Sequence, residues 1–160
     1  MLFRSVADSA STYVFVGFGS DLPVATYDDM LLYLRYFATT FRIATLRDAP
    51  PEQRPAAWAE FVRATDSDPR TPVHEDLRAY FDRIARANVR YREEASAGWL
   101  SDRGKVFITL GEPDQVFEPQ LNDMSRNRQL IWVYQAINLQ LTFYDQTGTG
   151  KWRLTQSSRS

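Results

Sequence analysis

Two short runs bring chemically capable side chains together. Gly98-Trp99-Leu100-Ser101-Asp102-Arg103-Gly104 sets a carboxylate beside a guanidinium between two glycines, and Gly111-Glu112-Pro113-Asp114 follows shortly after. Carboxylates with an adjacent cation are what a hydrolase-like or ligand-binding site needs, so Asp102, Arg103 and Asp114 are the candidates for one. The same residues have an architectural reading. A sharp turn leaves backbone N–H groups without helix or ladder partners, and a carboxylate has acceptor capacity and no donors. On that reading Asp102 accepts several backbone N–H bonds in its own turn, which depresses its pKa. Trp99 plugs the gap between a helix and a sheet, and the flanking glycines serve backbone conformation. Carboxylates at turns usually satisfy backbone donors, which favours the architectural reading.

Other familiar chemistry fails on composition or context. The 160 residues hold no Cys and one His, His74. Sites with Cys ligands or nucleophiles, and sites with two His ligands, therefore drop out. Gly148-Thr149-Gly150-Lys151 invites a phosphate-loop reading, but the upstream Gly is missing and Trp152 stands where Ser or Thr would hold Mg²⁺. Between two β runs it reads as a hairpin loop. Asp66-Ser67-Asp68 starts like a calcium loop, but Thr71 and Leu77 occupy the positions that need Gly and Glu. Turn chemistry before a helix is the better account. His74-Glu75 has no second His four residues on, and no Gly-x-Ser-x-Gly elbow accompanies it. No catalytic residue, metal ligand or cofactor is assigned.

Periodicity and punctuation predict the elements that position these residues. Thr26 reads as an N-cap before a strongly apolar helix over 28–47. A short helix follows over 52–65, with Trp58, Phe61 and Val62 on one stripe. Thr71 is expected to cap a third helix over 72–96, with Pro72 at its first position. Asn88 interrupts the inner stripe of that helix, and a buried Asn needs partners, so it is expected to bond backbone in the next segment. After Gly98 the period changes to two: Val106, Ile108 and Leu110 alternate with Phe107 and Thr109, which predicts a strand. A short extension is expected over 115–117 and an exposed polar loop over 119–128. Strands follow over 130–135 and 139–145, then a hairpin loop over 146–150 and a last strand over 152–155. The tail 157–160 should fray. The fold class is α+β: three N-terminal helices packed on a C-terminal antiparallel β-meander of about four strands.

Charge is even along the chain, with 19 basic and 20 acidic side chains and a net charge of −1. Neither 1–100 nor 101–160 carries the basic excess that phosphate binding needs, so no nucleic-acid partner is expected. No apolar run approaches the length of a membrane span, and no signal peptide is visible. Leu2-Phe3-Arg4-Ser5 reads like the translation of a sequencing adapter, so Met1–Ser5 are read as foreign and the true N-terminus as missing. Tyr13–Phe18 is aromatic and β-branched and reads as a lone strand. Residues 1–25 are taken as the remnant of a lost upstream β-rich region, and 26–156 as one α+β domain.

The same motif residues carry a family resemblance. Gly98-Trp99-Leu100-Ser101-Asp102, Arg103-Gly104, Gly111-Glu112-Pro113-Asp114, Trp132-Val133-Tyr134 and Phe143-Tyr144-Asp145 resemble the bacterial GWxTD domain over about 50–156. One departure is Ser101, which replaces the Thr of the motif and keeps its hydroxyl. The C-terminal half, with Leu110-Gly111-Glu112-Pro113, Trp132-Val133-Tyr134 and Phe143-Tyr144-Asp145, is also similar to small outer-membrane-assembly lipoproteins. The family resemblance implies a cell-envelope location, periplasmic or outer-membrane-associated, and supplies no mechanism. The leading expectation is a non-enzymatic structural or protein-interaction module whose partner is another envelope protein. The alternative is a ligand-binding or hydrolase-like site at the Gly98–Asp114 junction.

Overall fold

A computed structural model describes residues 26–71, 73–94, 96–119 and 127–159. The strand read at Tyr13–Phe18, Met1–Ser5, Pro72, most of the 119–128 loop and Ser160 lie outside those residues. The chain divides into two compact units, Met1–Asp82 and Arg83–Ser160. The class is α+β, with five α-helices among the described residues and one four-stranded antiparallel sheet.

The first unit is helical. Thr26 caps α1 (Tyr27–Tyr33): its hydroxyl accepts the Asp29 N–H at 3.1 Å and the Asp29 carboxylate accepts the Thr26 N–H at 3.0 Å. This reciprocal pair satisfies two donors that the helix start would orphan. The single helix expected over 28–47 is broken. A 3₁₀ turn spans Leu34–Tyr36, and α2 (Thr40–Asp48) restarts behind a cap by Thr39. The cause lies far off in sequence. The Tyr80 hydroxyl donates to the Tyr33 carbonyl and accepts the Tyr36 N–H, taking two groups from the helical ladder. Phe37 N–H turns instead to the Leu34 carbonyl at 2.9 Å.

Helix α3 (Arg54–Thr65) has Pro55 in its first turn and stacks Trp58 on Phe61. Helix α4 (Glu75–Arg90) begins three residues later than expected. Its cap is His74, not Thr71: the Leu77 N–H donates to His74 Nδ1 at 3.1 Å. The other ring nitrogen, Nε2, lies 3.0 Å from the Thr65 hydroxyl, which itself donates to the Phe61 carbonyl. An Nε2–H tautomer fits both bonds. Phe37 packs against Phe61, His74 and Tyr80 among the buried Leu34, Leu46 and Leu77.

The second unit starts in the last turns of α4, which ends at Arg90 rather than near 96. Helix α5 (Asp102–Leu110) occupies the segment read as a strand over Val106–Leu110. The buried positions are Gly104, Val106, Phe107 and Ile108, while Thr109 and Leu110 are exposed. That is a helical set, and five residues of alternation are too few to tell the two periods apart. The start signal was present in Ser101-Asp102 and the stop signal in Gly111. Strands β1 (Gln115–Phe117), β2 (Arg128–Tyr134), β3 (Leu139–Asp145) and β4 (Arg153–Arg159) follow in spatial order β1-β2-β3-β4. Ser157, Ser158 and Arg159, read as a fraying tail, pair with Leu141, Gln140 and Leu139. A register shift opposite Thr142/Phe143 puts an extra residue in β4. Phe107, Tyr91, Trp132 and Phe143 form a continuous aromatic row from α5 to the middle of the sheet, with successive centroids 5.4, 5.5 and 4.9 Å apart.

Candidate functional site

The Gly98–Asp114 junction begins where α4 ends. Asn88 stays half-buried and its Oδ1 accepts the Gly98 N–H at 3.1 Å, as its place on an apolar stripe required. That bond seats Gly98 against the helix end. A Cβ there would lie 2.2 Å from the Ala87 carbonyl oxygen and 2.7 Å from that of Asn88. Gly104 is equally confined, since its Cβ would fall 1.9 Å from the Gly98 oxygen. Both glycines therefore serve close backbone approach rather than unusual dihedrals. Trp99 is buried beside them, 8 % exposed.

Ser101 closes the arrangement. It is buried, its hydroxyl donates to the Gly98 carbonyl at 2.7 Å and accepts the Gly104 N–H at 3.0 Å. The hydroxyl thus caps α5 and ties it to the preceding 3₁₀ turn (Gly98–Leu100). This is the task assigned to Asp102 from the sequence, and Ser101 performs it. Asp102 is the first residue of α5 and reaches elsewhere. Its carboxylate accepts the Leu154 N–H of β4 at 3.0 Å and meets Lys105 Nζ at 3.1 Å. Partial burial pushes its pKa up, but the Leu154 N–H and Lys105 outweigh that, and the net direction is down. The depressed pKa expected of Asp102 holds, with one backbone donor from a distant strand instead of several from its own turn.

Arg103 lies against aromatic rings. Its guanidinium lies 5.4 Å from the Tyr91 ring centroid and 5.2 Å from that of Trp152, with Arg128 5.1 Å from the same indole. Such stacking suits a planar, weakly hydrated cation. Burial lowers the Arg103 pKa, opposed by Glu93 and other neighbours. Sequence reasoning missed Glu93 entirely. It is buried, accepts the Trp152 backbone N–H at 3.1 Å and faces Arg153 at 3.4 Å. A carboxylate two residues past a tyrosine at a helix end carries no motif, so only the fold reveals it. Arg103 Nε and the Tyr91 hydroxyl are buried without a hydrogen-bond partner among the described residues.

The other half of the junction lies at the far end of α5. A nine-residue helix is about 13 Å long, so Asp102 and Asp114 do not converge on one substrate atom. Gly111 ends the helix at φ 84°, a value that favours glycine. After Glu112 and Pro113, the Asp114 N–H donates to the Val133 carbonyl at 2.9 Å and its carboxylate accepts the Gln135 N–H at 2.6 Å. The Tyr134 hydroxyl donates to the Gly111 carbonyl at 3.1 Å. Burial raises the Tyr134 pKa, and Tyr91, Glu112 and Asp114 add to it. Trp132 and Phe143 lie in the core of the unit. Asp145 is fully buried and holds the hairpin loop: it accepts the Thr147 N–H at 3.3 Å and the Gly150 N–H at 2.8 Å.

With the motif in place, comparison with known proteins has a definite result. The family model described as the GWxTD domain matches residues 2–159, a wider span than the motif residues themselves cover. The chain belongs to the GWxTD domain family. No curated protein and no solved structure matches it. In this GWxTD chain each letter of the motif has a structural task. The glycine allows contact with the α4 end, the tryptophan fills the interior, the hydroxyl residue caps α5, and the aspartate reaches β4. Ser101 in place of Thr keeps both hydroxyl bonds. Among the described residues, no helix is long and apolar enough to cross a membrane.

Proposed function

We propose that this GWxTD chain is a non-enzymatic structural or protein-interaction module of the bacterial cell envelope, acting on another envelope protein and not on nucleic acid. The observation that carries the reading is that the hydroxyl and the aspartates of the motif are spent inside the unit, while Arg103 lies against aromatic rings. Ser101 is consumed by Gly98 and Gly104, Asp102 by Leu154 and Lys105, Asp114 by Gln135, and Asp145 by the hairpin loop. A catalytic constellation keeps groups poised toward a common reacting atom, and Asp102 and Asp114 stand at opposite ends of α5. The envelope location is supported by the family resemblance alone.

Two measurements test this. An architectural Asp102 makes Asp102→Asn less stable than wild type at neutral pH. A catalytic acid would leave the variant equally or more stable, and that result would bring the hydrolase-like reading forward. For location, cells expressing the full gene with a C-terminal tag should yield the protein in periplasmic or envelope fractions. Recovery in the cytosolic fraction would overturn the envelope half of the proposal.

A further inference from the structure

We propose that the outer edge of β4 takes an extended, acidic segment of a partner protein as a fifth strand. This rests on the interaction-module reading and names the chemistry of the partner. Among the described residues β4 is the last strand of the sheet and pairs on one side only, with β3. All seven of its residues are exposed. An edge strand turns the N–H and C=O groups of alternate residues outward, which is a template for another strand. The opposite edge, β1, is three residues long and carries no charged side chain.

The chain already shows what this edge accepts. At Leu154 the outer N–H is taken by the Asp102 carboxylate. Beyond it, Gln156 to Arg159 have no backbone partner other than β3 among the described residues. Charge then selects the occupant. From Gln146 onward the chain carries Lys151, Arg153 and Arg159 and no Asp or Glu. Arg153 shares Glu93 at 3.4 Å, and Arg159 has no ion pair among the described residues. The unit Arg83–Ser160 as a whole holds eleven basic and eight acidic side chains, a net charge of +3. A second copy gains no ion pair here: over the free residues Gln156–Arg159 an antiparallel copy sets Arg159 against Gln156 and leaves the cation without a carboxylate. A polyanion such as single-stranded RNA would meet the cations, but its phosphates only accept hydrogen bonds. An extended peptide matches both the donors and the acceptors of the edge.

The test uses the whole 160-residue chain, isotope-labelled, and a synthetic five-residue Thr/Val peptide with a Glu at the end that meets Arg159, short enough to stop before Leu154, whose outer N–H Asp102 holds. Amide signals of Gln156–Arg159 should shift on titration, and binding should weaken as salt is raised. The same peptide with Lys for Glu should not bind. Arg159→Glu, at an exposed strand end, should leave the remaining spectrum unchanged and weaken the acidic peptide about two- to fivefold. The proposal falls if the acidic peptide leaves these amides unmoved or if the Lys peptide moves them equally. It also falls if a β4-mediated dimer excludes the peptide, or if a single-stranded oligonucleotide binds the same amides more tightly. The module reading fails on a different result, retained or increased stability of Asp102→Asn, so the two failures are distinguishable.

Discussion

In the unit Met1–Asp82, polar side chains cap helix ends and tie the Asp66–Thr71 loop together: Arg70 grips Asp68 with two bonds, and Thr71 reaches Glu75. In the unit Arg83–Ser160, polar side chains go inside. Glu93, Ser101, Thr142 and Asp145, the buried polar or charged residues among those described, all belong to it. The charge balance differs as well, with eight basic and twelve acidic residues in the first unit against eleven and eight in the second. The contrast bears on tolerance to change. An apolar core keeps its fold through many volume-conserving swaps. A satisfied polar network loses a partner with each substitution and leaves a buried group unpaired. A motif of named residues accordingly falls in the second unit, where identity matters more than hydrophobicity.

Trp99→Ala should break the second unit most deeply. The indole is nearly buried, and its neighbour Gly98 is already in tight backbone contact with the end of α4, which limits how far the site can collapse onto the cavity. A loss of about 3–5 kcal/mol is expected, measured by chemical denaturation with hydrogen exchange reporting on each unit. An unchanged melting temperature would make Trp99 a binding anchor instead. Gly104→Ala should come next, at about 2–3 kcal/mol. The added methyl meets a backbone oxygen, which a side-chain rotation cannot relieve. Amide protection should fall in α5 and β4 before it falls in α1 to α3.

Tyr80→Phe sharpens the comparison from the other side. It removes one oxygen from the helical unit and leaves the Tyr33 carbonyl and Tyr36 N–H to find other partners. The expected cost is about 1–2 kcal/mol, the loss of a hydrogen-bonded group from a mostly buried position. The ladder can partly recover by winding through Leu34–Phe37. Faster exchange of the Tyr36 amide together with a small melting shift would fit. A loss as large as that of Trp99→Ala would mean that the first unit also depends on a polar network.

What the sequence disclosed follows the range of the interaction. β3 was legible residue for residue because seven alternating positions carry their own period. Asn88 was legible because one polar group on an apolar stripe demands a partner, although the partner's identity came from the fold. The break in the first helix was not, since the residue that causes it lies 44 positions away. Helix α5 was misread for a local reason: the Ser101 cap and the Gly111 stop outweigh five alternating residues. Of the candidate site, the residues were found and their tasks were partly exchanged. Ser101 holds the turn, Asp102 holds the strand, and Glu93, with no motif around it, anchors Trp152.

Asp102→Asn is the smallest of these perturbations and the one that separates architecture from chemistry. The amide still offers an oxygen to the Leu154 N–H, so the hydrogen bond can persist, while the charge that attracts Lys105 and Arg153 is gone. The side chain is only partly buried, so solvent reduces the effect to about 1 kcal/mol. Its sign depends on pH in a definite way. The folded-state pKa lies below the unfolded value near 3.9, so the folded state holds the carboxylate in its charged form more strongly than the unfolded chain does. The resulting stability is fully present above the unfolded pKa. It fades as pH falls through the folded value, where both states are protonated. Wild type and Asp102→Asn should therefore differ at pH 7 and converge in acid, with wild type losing more stability across that range. A difference that grows in acid would mean that the folded pKa is raised, and Asp102 would then be held as an acid rather than as a strut between α5 and β4.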